Sequence, residues 1–219
     1  MVSRMVFHKI GLGRLMLSVA ALVVITAILL LASPVGAHHA LDNMFKTATY
    51  GPDCFDAGNS TPHTSNFCQT DNSALTVFRE SSLSVSGKSN IAFVLNNWYD
   101  PTDLSVTIET SGTYTGSAET DIIYQKRDDI PGALVGVAWC YDAVTTLKCD
   151  QHYVAFDAVS PATNLICHET GHAVGLTHGA QASPAIDDDD DVLDCMENPP
   201  GASSGVLGTH NTGIINSTY

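Results

Sequence analysis

Positive charge is scarce in this 219-residue chain: nine Lys and Arg stand against 23 Asp and Glu. A protein that neutralises phosphates needs clustered basic residues, so nucleic acid is excluded as the partner. Long apolar runs are scarce as well. One uncharged stretch, Leu15 to Ala32, is long enough to reach across a bilayer, and no second one follows it. No internal repeat and no second domain can be discerned.

What is there begins with an address. Arg4, Lys9 and Arg14 give a basic start, the apolar run follows, and Val35-Gly36-Ala37 supplies small residues for cleavage. Residues 1–37 therefore read as a secretory signal peptide and the protein as secreted. The alternative is a membrane anchor retained at residues 15–32. Cleavage after Ala37 removes three bases and no acid, leaving six bases against 23 acids. What remains is 219 less 37, or 182 residues, which suits one domain with one core and no stable membrane association.

The densest chemical signal is His168-Glu169-Thr170-Gly171-His172-Ala173-Val174-Gly175-Leu176-Thr177-His178. Histidines four apart project from one helix face, so His168 and His172 reach one metal ion. Glu169 lies between them, turned toward the position of an attacking water. Gly175 lets the chain leave the helix through a conformation that a side chain resists, which returns His178 as a third nitrogen ligand. Three protein ligands with an open fourth position are the pattern of a catalytic rather than a structural zinc. A methionine, Met196, follows in Asp194-Cys195-Met196-Glu197-Asn198-Pro199.

The extended motif with a later methionine resembles the metzincin metalloproteases, most nearly the matrixin-like branch in its small secreted form. The third ligand is His178, not the Asp of snapalysin-like enzymes. The resemblance covers about residues 74–219 and implies an α+β catalytic domain. Its expected parts are a twisted mixed five-stranded sheet, a zinc-bearing active-site helix, a Met-turn and a C-terminal helix. It implies a Zn2+-dependent endopeptidase acting on protein or peptide, with Glu169 as general base and Met196 as an apolar floor under the histidines rather than a ligand. It also implies that substrate lies extended along the fourth strand, here Leu134, Val135, Gly136, Val137, Ala138 and Trp139. The tyrosine that some metzincins carry two residues past the methionine is replaced by Asn198, as in matrixins. No Pro-Arg-Cys-Gly latch is present, and Cys54 in Gly51-Pro52-Asp53-Cys54-Phe55 does not match it. The rival from another class is a catalytically silent zinc-binding or cell-surface interaction domain on the same fold; an intact Glu169 argues against it.

Six cysteines all lie beyond residue 37, and an even number in an exported chain points to disulfides. Fifteen connectivities are open. Cys140 and Cys149 flank a hairpin turn, and Cys54 and Cys68 flank a Gly/Asn/Ser/Thr/Pro-rich loop. Cys167 and Cys195 are left to tie the zinc helix to the segment of Met196; the alternative leaves Cys167 as a free thiolate near the metal.

The rest of the pattern gives the elements. Residues 38–73 read as an irregular, disulfide-closed arm. Strands fall at 75–78, 104–108, 121–125, 133–140 and 152–158. The stripe Ile91, Val94, Leu95, Trp98 marks a helix capped by Ser89 and stopped before Pro101. Ser160-Pro161 opens a helix over 161–175, and Gly208–Tyr219 forms the last one. Asp187 to Asp191 is a run of acids that reads as a solvated loop, with a Ca2+ site as the alternative. His38 and His39 read as an exposed start, and His63, His152 and His210 as ordinary polar residues.

Overall fold

The computed structural model describes residues 41–58, 62, 64, 66–116, 118–199 and 205–219. The signal-peptide segment 1–37, His38, His39 and His63 lie outside the described residues. Six strands form one mixed sheet: β1 (Gln69–Thr70), β2 (Thr76–Arg79), β3 (Thr107–Ile108), β4 (Ile122–Lys126), β5 (Gly136–Ala143) and β6 (Lys148–Phe156). All neighbouring pairs are parallel except β5, which runs antiparallel to β6 and forms the sheet's edge. The sheet thus has six strands where five are expected. The additional one, β1, comes from the segment read as irregular and is too short to show alternation; it pairs with the start of β6 while β4 takes the remainder.

Alternation along the strands assigns the two faces. Ile122, Tyr124, Val154 and Phe156 join the main core beneath the helices, whereas Ile123, Val137, Trp139, Tyr153 and Ala155 form a second cluster on the opposite face. Three helices supply the main core: α1 (Val85–Val94), α2 (Thr163–Ala173) and α3 (Gly208–Thr218). Ile91 and Val94 of α1, Ile166 of α2 and Ile215 of α3 are fully buried in that cluster. Burying each such side chain contributes about 1.5–3 kcal/mol.

Two helix starts differ from expectation. Ser84, not Ser89, caps α1, its Oγ accepting from the Gly87 backbone N–H at 3.0 Å. The helix begins earlier because Gly87 allows it to approach the Val159 carbonyl, where a Cβ would stand only 2.3 Å away. Ser89 instead donates its hydroxyl to the Val85 carbonyl one turn back. At α2 the cap is Ala162, without a side-chain bond, rather than Ser160, and Pro161 lies outside the helix with its carbonyl accepting from Asn90 Nδ2. The chain of α1 continues as one π-helical stretch, Leu95–Tyr99, which ends just before Pro101.

Three disulfides join Cys54 to Cys68, Cys140 to Cys149 and Cys167 to Cys195. No cysteine is free, so Cys167 is not a thiolate. The first two bridges share a small cluster with Phe45 and Phe67, separate from the main core. Among the described residues no helix is long and apolar enough to cross a membrane.

Tyr99, fully buried at the end of the π-helical stretch, donates its hydroxyl to the Cys167 carbonyl of α2 at 2.6 Å. Tyr99→Phe leaves that carbonyl without the bond and should cost about 1–2 kcal/mol. The measurement is a lower urea midpoint at unchanged slope.

Candidate metal centre

Helix α2 carries His168 and His172 one turn apart on its buried face. Its end is set by Gly175, at φ 96°. The Leu176 N–H bonds the Gly171 carbonyl and the Gly175 N–H bonds the His172 carbonyl, a left-handed helix exit that satisfies the terminal carbonyls. The arm then anchors the outgoing chain. Thr177 N–H donates to the Asn43 carbonyl, Phe45 N–H to the Gly175 carbonyl, and Asp42 and Ser183 exchange both backbone bonds. His178 is thereby returned to the helix.

The three imidazoles converge. Nε2 of His172 lies 3.1 Å from Nε2 of His168 and 3.0 Å from that of His178, and the remaining pair is 3.1 Å apart. Two of the rings have their other nitrogen engaged: His168 Nδ1 lies 2.8 Å from the Cys195 carbonyl and His172 Nδ1 2.8 Å from the Leu176 carbonyl. A carbonyl only accepts, so each Nδ1 carries the proton and each Nε2 presents a lone pair. No hydrogen therefore lies between Nε2 of His168 and Nε2 of His172. Added protons do not resolve the contact. Burial pushes the His168 ring down to about 3, His172 well below its ordinary value, and His178 down as well, the last partly offset by Asp188. Three imidazole nitrogens at this spacing could hold a metal ion.

Glu169 is 5% exposed and opens on the same cleft, its Oε1 so near Gly136 that a Cβ there would sit 2.7 Å away. Burial raises its carboxyl to about 8, and a cation close by would draw it down again. Met196 is fully buried, with its sulfur against α2 at Gly171, where a Cβ would approach it to 2.2 Å. The cleft measures about 300 Å³ and runs between residues 133–138, the three histidines and Asn198-Pro199.

Of the strand residues singled out, Leu134, Val135, Gly136, Val137 and Ala138 line this cleft and Trp139 does not. The Trp139 ring faces the opposite side of the sheet, stacks on Tyr153 and donates to the Gly58 carbonyl. The acids of Asp187 to Asp191 do not converge as a cation site; no three of their carboxylates approach one another among the described residues. Asp188 and Asp190 instead accept from the Ala180 and Val192 backbone N–H groups. Carboxylates do gather elsewhere, where Asp71, Asp121 and Asp150 come within 4.8 Å of one another. Of the remaining histidines, His210 meets Asn43 and His152 is buried in β6 with neither ring nitrogen hydrogen-bonded to a side chain or backbone group at good geometry.

Phe67 is a contributor that the sequence pattern does not disclose. Its ring stacks on His172 with centroids 4.2 Å apart and meets His178 edge-on. It sits in a polar loop with no periodicity; its one sequence marker is the neighbouring Cys68, whose bridge to Cys54 holds the loop.

Phe67→Ala should loosen His172 and speed metal loss to a chelator roughly tenfold, followed by stopped-flow competition, with the disulfides intact. Gly171→Ala should displace the Met196 side chain and lower the thermal midpoint by several degrees, since overpacking costs about 1–3 kcal/mol.

No protein-family model matches the chain, and no curated protein matches it. Among solved structures it is similar to myroilysin, with a TM-score of 0.35 and 14% sequence identity over 81% of this chain and 77% of that one.

Proposed function

We propose that the protein is a secreted zinc endopeptidase of metzincin type, cleaving peptide bonds in proteins or peptides. The observation that carries this reading is the meeting of three imidazole Nε2 atoms, two of them on buried rings with their Nδ1 already donating, at 3.0–3.1 Å beside a carboxylate on an open cleft. Tetrahedral zinc at about 2.0–2.1 Å from each nitrogen needs those nitrogens about 3.3 Å apart, close to what His168, His172 and His178 offer. Neutral imidazole nitrogens favour zinc over calcium, which takes oxygen ligands. Zinc held there supplies Lewis acidity, polarising the scissile carbonyl and bringing the pKa of a water down to about 7.

The chain's own groups do the rest. The Cys195 and Leu176 carbonyls orient His168 and His172 and keep their Nε2 lone pairs inward. Glu169, desolvated on the cleft wall, takes the proton of the attacking water and delivers it to the leaving amine. The apolar flank of Leu134, Val135 and Leu165 receives a side chain of the substrate. Export fits the three disulfides, which persist in oxidising compartments, and Ala37 is the proposed end of the removed leader.

Casein hydrolysis by the purified protein tests this. A chelator should abolish it and added zinc restore it. Glu169→Gln should lower the rate by about 10²–10⁴-fold while zinc remains bound. His178→Ala should release both metal and activity with the disulfide-bonded scaffold still folded. Stoichiometric zinc without hydrolysis of any protein would support the silent interaction domain instead.

A further inference from the structure

The outer edge of β5 is divided into an open part and a closed part. Val135 accepts from the Asp157 N–H across the ladder, so the backbone groups of 135, 137 and 139 face β6 and those of Gly136, Ala138 and Cys140 face outward. Gly136 and Ala138 line the cleft, and no backbone group among the described residues bonds to their outward side. Cys140 is taken. Its N–H donates to the Asn66 carbonyl at 3.2 Å, and its carbonyl accepts from Ala57 N–H and from Asn66 Nδ2, each at 3.2 Å.

The segment that occupies Cys140 is firmly held. Asn66 Nδ2 also donates to the Phe55 carbonyl, the Ala143 N–H donates to Asp56 Oδ1, and the Cys54–Cys68 bridge closes the loop. Thr64 and Phe67 of the same loop line the cleft, Phe67 lying against His172. At the opposite end Leu134 and Val135 are 47% and 48% exposed, and nothing comparable among the described residues covers them.

These facts locate the substrate chain. The reacting carbonyl must reach both Glu169 and the three histidines, and Glu169 Oε1 lies against Gly136. From Gly136 to Cys140 a strand advances only about 13 Å. An extended peptide that adds to β5 in the antiparallel sense, the more stable pairing, directs its N-terminal side toward Cys140. We propose that the cystine-closed arm is the end wall of the substrate groove. About three residues on the N-terminal side of the cleaved bond pair with β5, and beyond them the substrate must end or turn away from the sheet. The C-terminal side runs out past Leu134, where no described residue obstructs it. The substrate class is therefore peptides cut near their N-terminus, or protein segments that bend a few residues before the cleaved bond. This inference rests on the peptidase reading.

The test uses the zinc-loaded protein and fluorogenic peptides of one scissile core, lengthened one residue at a time on either side. kcat/KM should climb with C-terminal extension. On the N-terminal side it should climb to about three residues and then stay within twofold or fall. Binding of the same ladder to Glu169→Gln, read by fluorescence anisotropy, should break at the same length. Asn66→Ala, which removes three side-chain bonds on this stretch, should extend the climb past three; if that variant does not fold, the ladder on the native protein decides alone. A tenfold gain between three and six N-terminal residues overturns the wall, as does a break on the C-terminal side instead. If no peptide is cut or bound, the peptidase reading falls and takes the wall with it.

Discussion

Two imidazole nitrogens 3.1 Å apart, each with its ring proton already given to a carbonyl on the far side, repel unless a positive charge lies against both. His168 and His172 are held in this arrangement, and His178 completes it. Much of the molecule serves to maintain it. Helix α2 sets the spacing of the first pair. The Cys167–Cys195 bridge fastens the helix to the segment whose carbonyl orients His168. The Gly175 exit presents the Leu176 carbonyl to His172 and brings the chain back as His178. Each of these contacts ties a ring to backbone rather than to another mobile side chain, so the cluster is preorganised, in keeping with the second-shell logic of metal sites.

The arm before the sheet is the less expected part of this design. Near its start it bonds the backbone from 175 to 183 and so steadies the turn that carries His178. Farther on it presents Phe67 to the His172 ring. Its last residues enter the sheet as β1, parallel to β6. The arm is therefore built into the half of the molecule that holds the three histidines at three places, and the Cys54–Cys68 bridge limits how far its middle can move away. The same loop thus contacts His172 through Phe67 and occupies Cys140 at the edge of β5.

Local rules made a good share of this legible beforehand. The strands at 76–79, 122–126 and 148–156 follow alternation or short β-branched runs, and each was anticipated within a few residues. The His168–His178 stretch could be read because a helix repeats every 3.6 residues and a glycine is needed where it exits. Cys54–Cys68 and Cys140–Cys149 follow from the loop and turn that they flank, and Cys167–Cys195 is the pair that remains. The caps differ from local expectation for a tertiary reason: Ser84 rather than Ser89 caps α1 where Gly87 meets the backbone at Val159, and Pro161 stays outside α2 with its carbonyl accepting from Asn90. β1 escaped notice because a two-residue strand has no period to detect.

The sequence by itself determined which residues are able to bind a metal and on which side of a helix they lie, since both follow from residue chemistry and helical pitch. It also determined that cysteines would bind the chain to itself. Only the tertiary structure decided that three nitrogens meet within 3.1 Å, that Phe67 lies on one of the rings, and that Cys140 ends the open edge of β5. Those outcomes depend on backbone contacts between residues as far apart as 43 and 177 or 66 and 140, and hydrogen bonds made through the main chain leave no mark on side-chain identity.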